Sequence, residues 1–265
     1  MRLTFTVIST LLAAILASPT PHAQGTWEVL SQVNHPNVTT RAFPDSWVYD
    51  PDQDEWSPLD PIPDGQERGS AAMGVSESTI YMAGGMRTLV PAPGGEQDTV
   101  DFVSAFDTVS SKWIRLPKLA KKIPEGRDHA GVAVVGNKFY VLGGRLRGQH
   151  NVKDTVFILD LKKLHKGWTI SKERMSTPRG GVVSGTIGCE VYIMGGEGNT
   201  AAGAEGIFNN VKVFDTKAET WRKLDATRLP RHGGSAVAVN GGIYLPGGGT
   251  RLGGSPVEVL DVYWP

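Results

Sequence analysis

Four short runs decide the fold: Ile80-Tyr81-Met82-Ala83-Gly84-Gly85, Phe139-Tyr140-Val141-Leu142-Gly143-Gly144, Val191-Tyr192-Ile193-Met194-Gly195-Gly196 and Ile243-Tyr244-Leu245-Pro246-Gly247-Gly248. Each is a β-type stretch ending in a double glycine, with a tyrosine three residues before the pair. Self-similarity at a regular spacing marks a repeat architecture. The flanks repeat too. Small residues precede each run, as in Gly69-Ser70-Ala71-Ala72 and Ala130-Gly131-Val132-Ala133. A polar or Gly-rich loop follows, then an apolar stretch ending near Asp107, Asp160, Asp215 or Asp261. Trp113, Trp168 and Trp221 come next.

These features predict an antiparallel unit of four strands, in positions A to D. Strand A is built of small residues, B ends in Gly-Gly, C ends near Asp and D carries Trp. Gly136-Asn137 and Asn240-Gly241 suit tight A–B hairpins. Small side chains fit strand A if it lies innermost, where sheets crowd around an axis. A tryptophan on D then fills the wedge between neighbours, and radial stacking protects the sheet edges.

The pattern resembles the kelch repeat of the galactose oxidase/kelch superfamily, across residues 25–265. The resemblance implies an all-β propeller. We expect about five four-stranded blades, with the first incomplete. Ser46-Trp47-Val48-Tyr49-Asp50 and Trp56 read as its C and D strands, Asn34–Val38 as its entry, and no Gly-Gly run lies between. Gly25-Thr26-Trp27-Glu28-Val29-Leu30 reads as a D strand, and Val257–Asp261 as a C strand. Pairing them closes the last blade from both ends of the chain. Either the ring is a compact five-bladed one, or it is a shortened product that closes poorly.

Residues 1–23 read as a secretory leader. Arg2 precedes an apolar run, Leu3 to Leu16, that breaks at Ala17-Ser18-Pro19, too short to span a bilayer. Cleavage near Ala17 or Ala23 would give an extracellular protein. Asn37-Val38-Thr39 is then a glycosylation triplet, with Asn37 as acceptor. With one cysteine, Cys189, stability must come from an apolar core rather than disulfides. Lys+Arg and Asp+Glu both number 27. That balance gives no global attraction to nucleic acid or to an anionic membrane, so recognition must be local.

A site is expected where strand A begins and strand B ends, since antiparallel strands bring these to one face. Arg68, Arg127, Arg179 and Arg231 each stand sixteen residues before the first glycine of a pair. Arg145 and Glu197 directly follow their glycine pairs, and His129 and His232 lie beside the strand-A entries. The guanidinium fork suits carboxylates and phosphates. The partner expected at an arginine-lined mouth is therefore an acidic small molecule, a carbohydrate or an acidic peptide. Kelch domains bind on this face, and the resemblance extends that role to Arg68, Arg127, Arg145, Arg179 and Arg231. Two other roles compete: pairing with the adjacent Glu67, Glu125 and Asp128, or satisfying carbonyls of the fold.

Enzymatic readings find less support. A copper oxidase of the galactose oxidase type needs two histidines and two tyrosines, one crosslinked to cysteine. Here Cys189 falls at an A–B turn, on the far face, and four of six tyrosines serve the repeat. A sugar-acid mutarotase on the arginine face would use Glu197 or His129 to move protons. No hydrolase elbow, phosphate loop or metalloprotease motif is present. The sequence thus predicts a binding module, with no metal or cofactor and no assigned catalytic residue.

Overall fold

The computed structural model describes residues 5–8, 42–89 and 97–265. Asn37, the Asn34–Val38 and Gly25–Leu30 segments, and all of the leader except Phe5–Ile8 lie outside these. The described residues form five main antiparallel sheets and two short hairpins. The first sheet orders β1 (Phe5–Ile8), β2 (Ser46–Asp50) and β3 (Glu55–Leu59). Blade 1 orders β4 (Ala72–Ser76), β5 (Thr79–Ala83), β8 (Val103–Asp107) and β9 (Lys112–Ile114); between β5 and β8 projects the hairpin of β6 (Met86–Leu89) and β7 (Gln97–Thr99). Blade 2 comprises β10 (Gly131–Val135), β11 (Lys138–Leu142), β12 (Val156–Asp160) and β13 (Trp168–Ile170). Blade 3 comprises β14 (Val183–Ile187), β15 (Glu190–Met194), β16 (Asn210–Asp215) and β17 (Thr220–Ala226). Blade 4 orders β18 (Val237–Val239), β19 (Gly242–Pro246) and β22 (Leu260–Tyr263), with the hairpin of β20 (Gly249–Arg251) and β21 (Gly254–Pro256) projecting before β22.

The innermost strands pack side by side in chain order: β4 on β10, β10 on β14, β14 on β18. This is an all-β propeller array of four blades, not the five expected. The β1–β3 sheet is not a fifth. Ser46–Asp50 and Glu55–Leu59 do pair as a hairpin, but the third strand is Phe5–Ile8 rather than a Gly-Gly strand. That sheet therefore lacks the inter-blade contacts that the double glycine makes. Blade 4 has three strands among the described residues. Its C strand begins at Leu260, later than Val257, because Val257 and Val259 still bond the loop glycines Gly248 and Gly247.

Why the repeat looks as it does is now physical. In Gly84-Gly85 both residues have positive φ, and the Gly85 N–H donates to the Arg127 carbonyl of the next blade at 2.6 Å. A Cβ on Gly84 or Gly195 would collide with the carbonyl of Arg127 or Arg231, far inside the 3.0 Å that real Cβ atoms keep. Gly144 and Gly196 make the same link to Arg179 and Arg231, at 2.9 and 3.0 Å. On strand A, a Cβ at Gly74 would lie 2.7 Å from Val134 of blade 2, so small residues let the sheets close up.

The core lies between blades rather than within them. Tyr81 and Ala105 of blade 1 meet Phe139, Phe157 and Leu159 of blade 2, with Trp168 packed against the cluster. Tyr140, Leu142 and Ile158 of blade 2 meet Val191, Ile193 and Phe214 of blade 3, flanked by Trp221. Tyr192, Met194 and Val213 meet Ile243 and Leu245 of blade 4. Each fully buried side chain of this size contributes about 1.5–3 kcal/mol. Trp168 also donates from Nε1 to the Ala120 carbonyl in the linker at 3.1 Å, fixing the wedge in register.

Candidate functional site

The four arginines are components of the blades. Arg68, Arg127, Arg179 and Arg231 are at most 3% exposed. Arg68 donates from Nε to the Gly84 carbonyl at 2.6 Å and from Nη2 to the Met82 carbonyl at 3.1 Å. Arg179 donates to the carbonyls of Gly195 (2.9 Å) and Asn210, and to the Thr177 hydroxyl, while lying 3.9 Å over the Phe208 ring. Arg127 pairs with Glu125 at 2.5 Å, donates to Thr155 Oγ1 at 2.6 Å and stacks on Phe157. Arg231 reaches the Gly247 and Val259 carbonyls and the Asp261 carboxylate. Desolvation pulls Arg68 and Arg179 down to about 10, still well above neutral pH, and lowers Arg127 too. The expected ring of guanidiniums around the mouth is therefore absent: each one clamps the B-strand end or C-strand start of its own blade. At Arg127, Arg179 and Arg231 the residue has two jobs, since its side chain staples one blade and its carbonyl receives the glycine of the blade before.

A different set of residues converges at the mouth. Directly after each arginine stand Gly69, Asp128, Gly180 and His232; directly after each glycine pair stand Met86, Arg145, Glu197 and Gly249. The backbone bridges these positions pairwise, Gly69 to Met86, Asp128 to Arg145, Gly180 to Glu197 and His232 to Gly249. Four of the eight are ionisable, and the propeller brings them together. Arg145 Nη1 donates to Glu197 Oε2 at 2.8 Å, and its Nε to Asp128 Oδ1 at 3.3 Å. His232 Nδ1 lies 3.3 Å from Glu197 Oε1. That same oxygen accepts from Gln149 Nε2 at 3.2 Å and from the Gly253 N–H at 2.8 Å. Glu197 of blade 3 thus gathers donors from blades 2 and 4. Asp128 also accepts from the Thr99 hydroxyl and lies 2.7 Å from His129 Nδ1.

Asp128 is 0% exposed, Glu197 1% and Arg145 4%. His129, His232 and Gln149 form the more accessible border of the cluster. Burying three charges costs several kcal/mol each unless they are paired. The fold does not demand this, because blade 1 places Gly69 and Met86 at the same two positions. The loops hold the cluster in place: the β20–β21 hairpin delivers Gly253, and Leu252 N–H bonds the Glu205 carbonyl of the blade 3 loop. Both nitrogens of His232 face acceptors, Nδ1 the Glu197 carboxylate and Nε2 the Arg251 carbonyl at 2.8 Å.

Of the sequence-predicted residues, Arg145, Glu197, His129 and His232 meet at the mouth, whereas Arg68, Arg127, Arg179 and Arg231 are embedded in their blades. Asp128, Gln149 and Thr99 belong to the cluster and were not among those expected there. The loop arginine Arg87 pairs with Asp98 on its own hairpin. Cys189 sits at the β14–β15 turn, at the opposite end of its blade. Among the described residues, no three His, Cys, Asp or Glu side chains are grouped to hold a metal.

Comparison with known proteins adds context. The model of the KLHDC2/KLHL20/DRC7 Kelch-repeats domain matches residues 34–248. Kelch-like protein terF of Aspergillus terreus is 37% identical over 220 residues, covering 83% of this chain and 46% of that protein. Kelch domain-containing protein 3 of Homo sapiens is 29% identical over 212 residues, covering 73% and 53%. The chain thus spans about half the length of these relatives. N-acetylneuraminate epimerase of Vibrio cholerae is 30% identical over 107 residues, covering 40% and 26%. The solved structure of YjhT aligns with TM-score 0.62 at 17% identity, over 77% of this chain and 66% of that one, a likeness of fold.

Proposed function

Because the chain belongs to the kelch-repeat family, we propose that it is a secreted binding module that receives a hydroxyl-rich, carbohydrate-type ligand at the mouth. One observation carries this reading. Glu197, Arg145 and Asp128 form a buried charged frame joining three blades, at positions where blade 1 manages with glycine and methionine. Such a frame costs stability, and it holds hydrogen-bonding side chains at its border: Gln149, His129 and His232. Groups of that kind, donors and acceptors without large apolar surface, suit hydroxyls. Arg145 is already paired with Glu197 and Asp128, and the four staple arginines are buried in their blades, so none of the five offers a free fork to a carboxylated ligand, although Nε of Arg127 and of Arg231 has no partner among the described residues. Within the family of acidic small molecules, carbohydrates and acidic peptides, the neutral carbohydrate fits best. Secretion rests on the leader-like run from Leu3 to Leu16, whose removal would take β1 with it and leave β2 and β3 as a two-stranded hairpin.

Calorimetric titration with neutral, amino and carboxylated saccharides and an acidic peptide tests this. A neutral or amino saccharide is expected to bind, and Gln149→Ala and His232→Asn to weaken it by about tenfold each, the equivalent of one lost hydrogen bond. Preference for the carboxylated probes, or binding indifferent to both variants, would overturn the assignment.

A further inference from the structure

The innermost backbone of the propeller is a ladder. The residue two places after each arginine is Ser70, His129, Gly181 or Gly233, and all four have positive φ, between 52° and 66°. His129 N–H donates to the Ser70 carbonyl at 3.0 Å, Gly181 to His129 at 2.8 Å and Gly233 to Gly181 at 2.7 Å. The left-handed conformation suits glycine, and two rungs use it. At the other two, serine and histidine accept a strain of about 1–2 kcal/mol each. The ladder needs only backbone groups, so these side chains are not required by it.

Their geometry is specific. His129 Nε2 lies 3.2 Å from Ser70 Oγ, and His129 Nδ1 lies 2.7 Å from Asp128 Oδ1. Asp128 is fully buried and further fixed by Thr99 Oγ1 and Arg145 Nε. An ionised carboxylate accepts only, so it selects the tautomer with a proton on Nδ1 and leaves the Nε2 lone pair facing the serine hydroxyl. Ser70 and His129 are both partly exposed at the mouth. A hydroxyl, a base within hydrogen-bond reach and an acidic group orienting that base form the arrangement of an activated nucleophile.

We propose that Ser70, His129 and Asp128 form an acyl-transfer site for carboxylic esters at the Ser70 edge of the mouth, sharing His129 and Asp128 with the border proposed for the saccharide but tested apart from it. Ser70 Oγ adds to the ester carbonyl carbon while its proton passes to His129 Nε2. The bond to the alcohol oxygen breaks, and that oxygen leaves with the proton from His129. Water then attacks the acyl-serine, again giving a proton to Nε2, and releases the acid with Ser70 restored. Asp128 is a positioning residue and touches no substrate.

The test is labelling of the full chain by a fluorophosphonate probe, with the modified peptide identified by mass spectrometry. The adduct is expected on Ser70. It should vanish in Ser70→Gly, a variant that keeps the fold because glycine fills the same rung in blades 3 and 4. His129→Gln should slow labelling by about a hundredfold, in line with the usual worth of a general base. In the unaltered chain the rate should rise with pH through one ionisation and then level off. Asp128→Asn should slow labelling and change the shape of that profile, which a purely structural role would not do. No adduct, an adduct elsewhere, or an unchanged rate in His129→Gln would refute the proposal, whatever the saccharide titrations give.

Discussion

Arg179 shows how a single residue type can be conserved by a repeat for reasons of packing. Its guanidinium donates to the carbonyls of Gly195 and Asn210 and to the Asn210 side chain. Each buried carbonyl left without a donor costs about 1–3 kcal/mol, so Arg179→Met should destabilise the fold by about 2–5 kcal/mol in urea denaturation. Arg179→Lys should recover only part of this, since an ammonium lacks the planar fork. A loss under 1 kcal/mol in the methionine variant would refute the staple role. Glycines permit a sharper comparison. Gly195 and Gly136 have nearly the same φ, 59° and 58°, but a Cβ meets Arg231 at the first and open space at the second. Gly136→Ala should cost about 1–2 kcal/mol, the ordinary left-handed strain. Gly195→Ala should cost clearly more, because the inter-blade hydrogen bond must yield as well; equal losses would contradict the inter-blade link.

At the scale of the strand, the repeat aspartates cap the C–D turns. Asp215 accepts from the N–H groups of Lys217 and Ala218, and Asp107 from the Ser110 hydroxyl and the Val109 N–H. These bonds hold both carboxyls below the usual carboxylate range, led by Ala218 for Asp215 and by Ser110 for Asp107. A folded value below the unfolded one means that the contribution is complete above about pH 4 and fades as pH falls through the depressed values. The melting temperature should therefore fall with acid below about pH 4, and less steeply in Asp107→Asn/Asp215→Asn. An identical slope in that variant would exclude the caps as the cause. Asp261, which the sequence aligns with these, is different: it is the second residue of β22 and its carboxylate receives Arg231.

Across the whole molecule, legibility follows symmetry. The Gly-Gly runs and the arginines recur in all four copies and the tryptophans in three, because every inter-blade boundary presents the same steric problem, and these spell the propeller in the sequence. The blade number was harder to read, because a β-hairpin such as Ser46–Leu59 has the local pattern of outer strands whether or not inner strands accompany it. The mouth was the hardest. Its residues occupy positions where the copies differ, Gly69, Asp128, Gly180 and His232 in one series and Met86, Arg145, Glu197 and Gly249 in the other. Nothing in one dimension distinguishes a functional departure from drift. The more visible arginines drew the site assignment precisely where repetition argued for structure, and only Arg145, the arginine outside the regular register, reached the mouth. A comparison of each copy against the others, seeking ionisable residues at positions filled elsewhere by glycine, would have found Asp128.

The central claim is that radial stacking brings residues of different blades into one charged cluster. Arg145 and Glu197 belong to blades 2 and 3, and no local structure would make them neighbours. A double-mutant cycle measured by equilibrium unfolding, with Arg145→Met, Glu197→Gln and the combined variant, tests that contact most directly. The geometry predicts a coupling of about 1–3 kcal/mol, with the double variant less destabilised than the sum of the two single ones. Simple additivity would mean that the two side chains do not meet and would contradict the account.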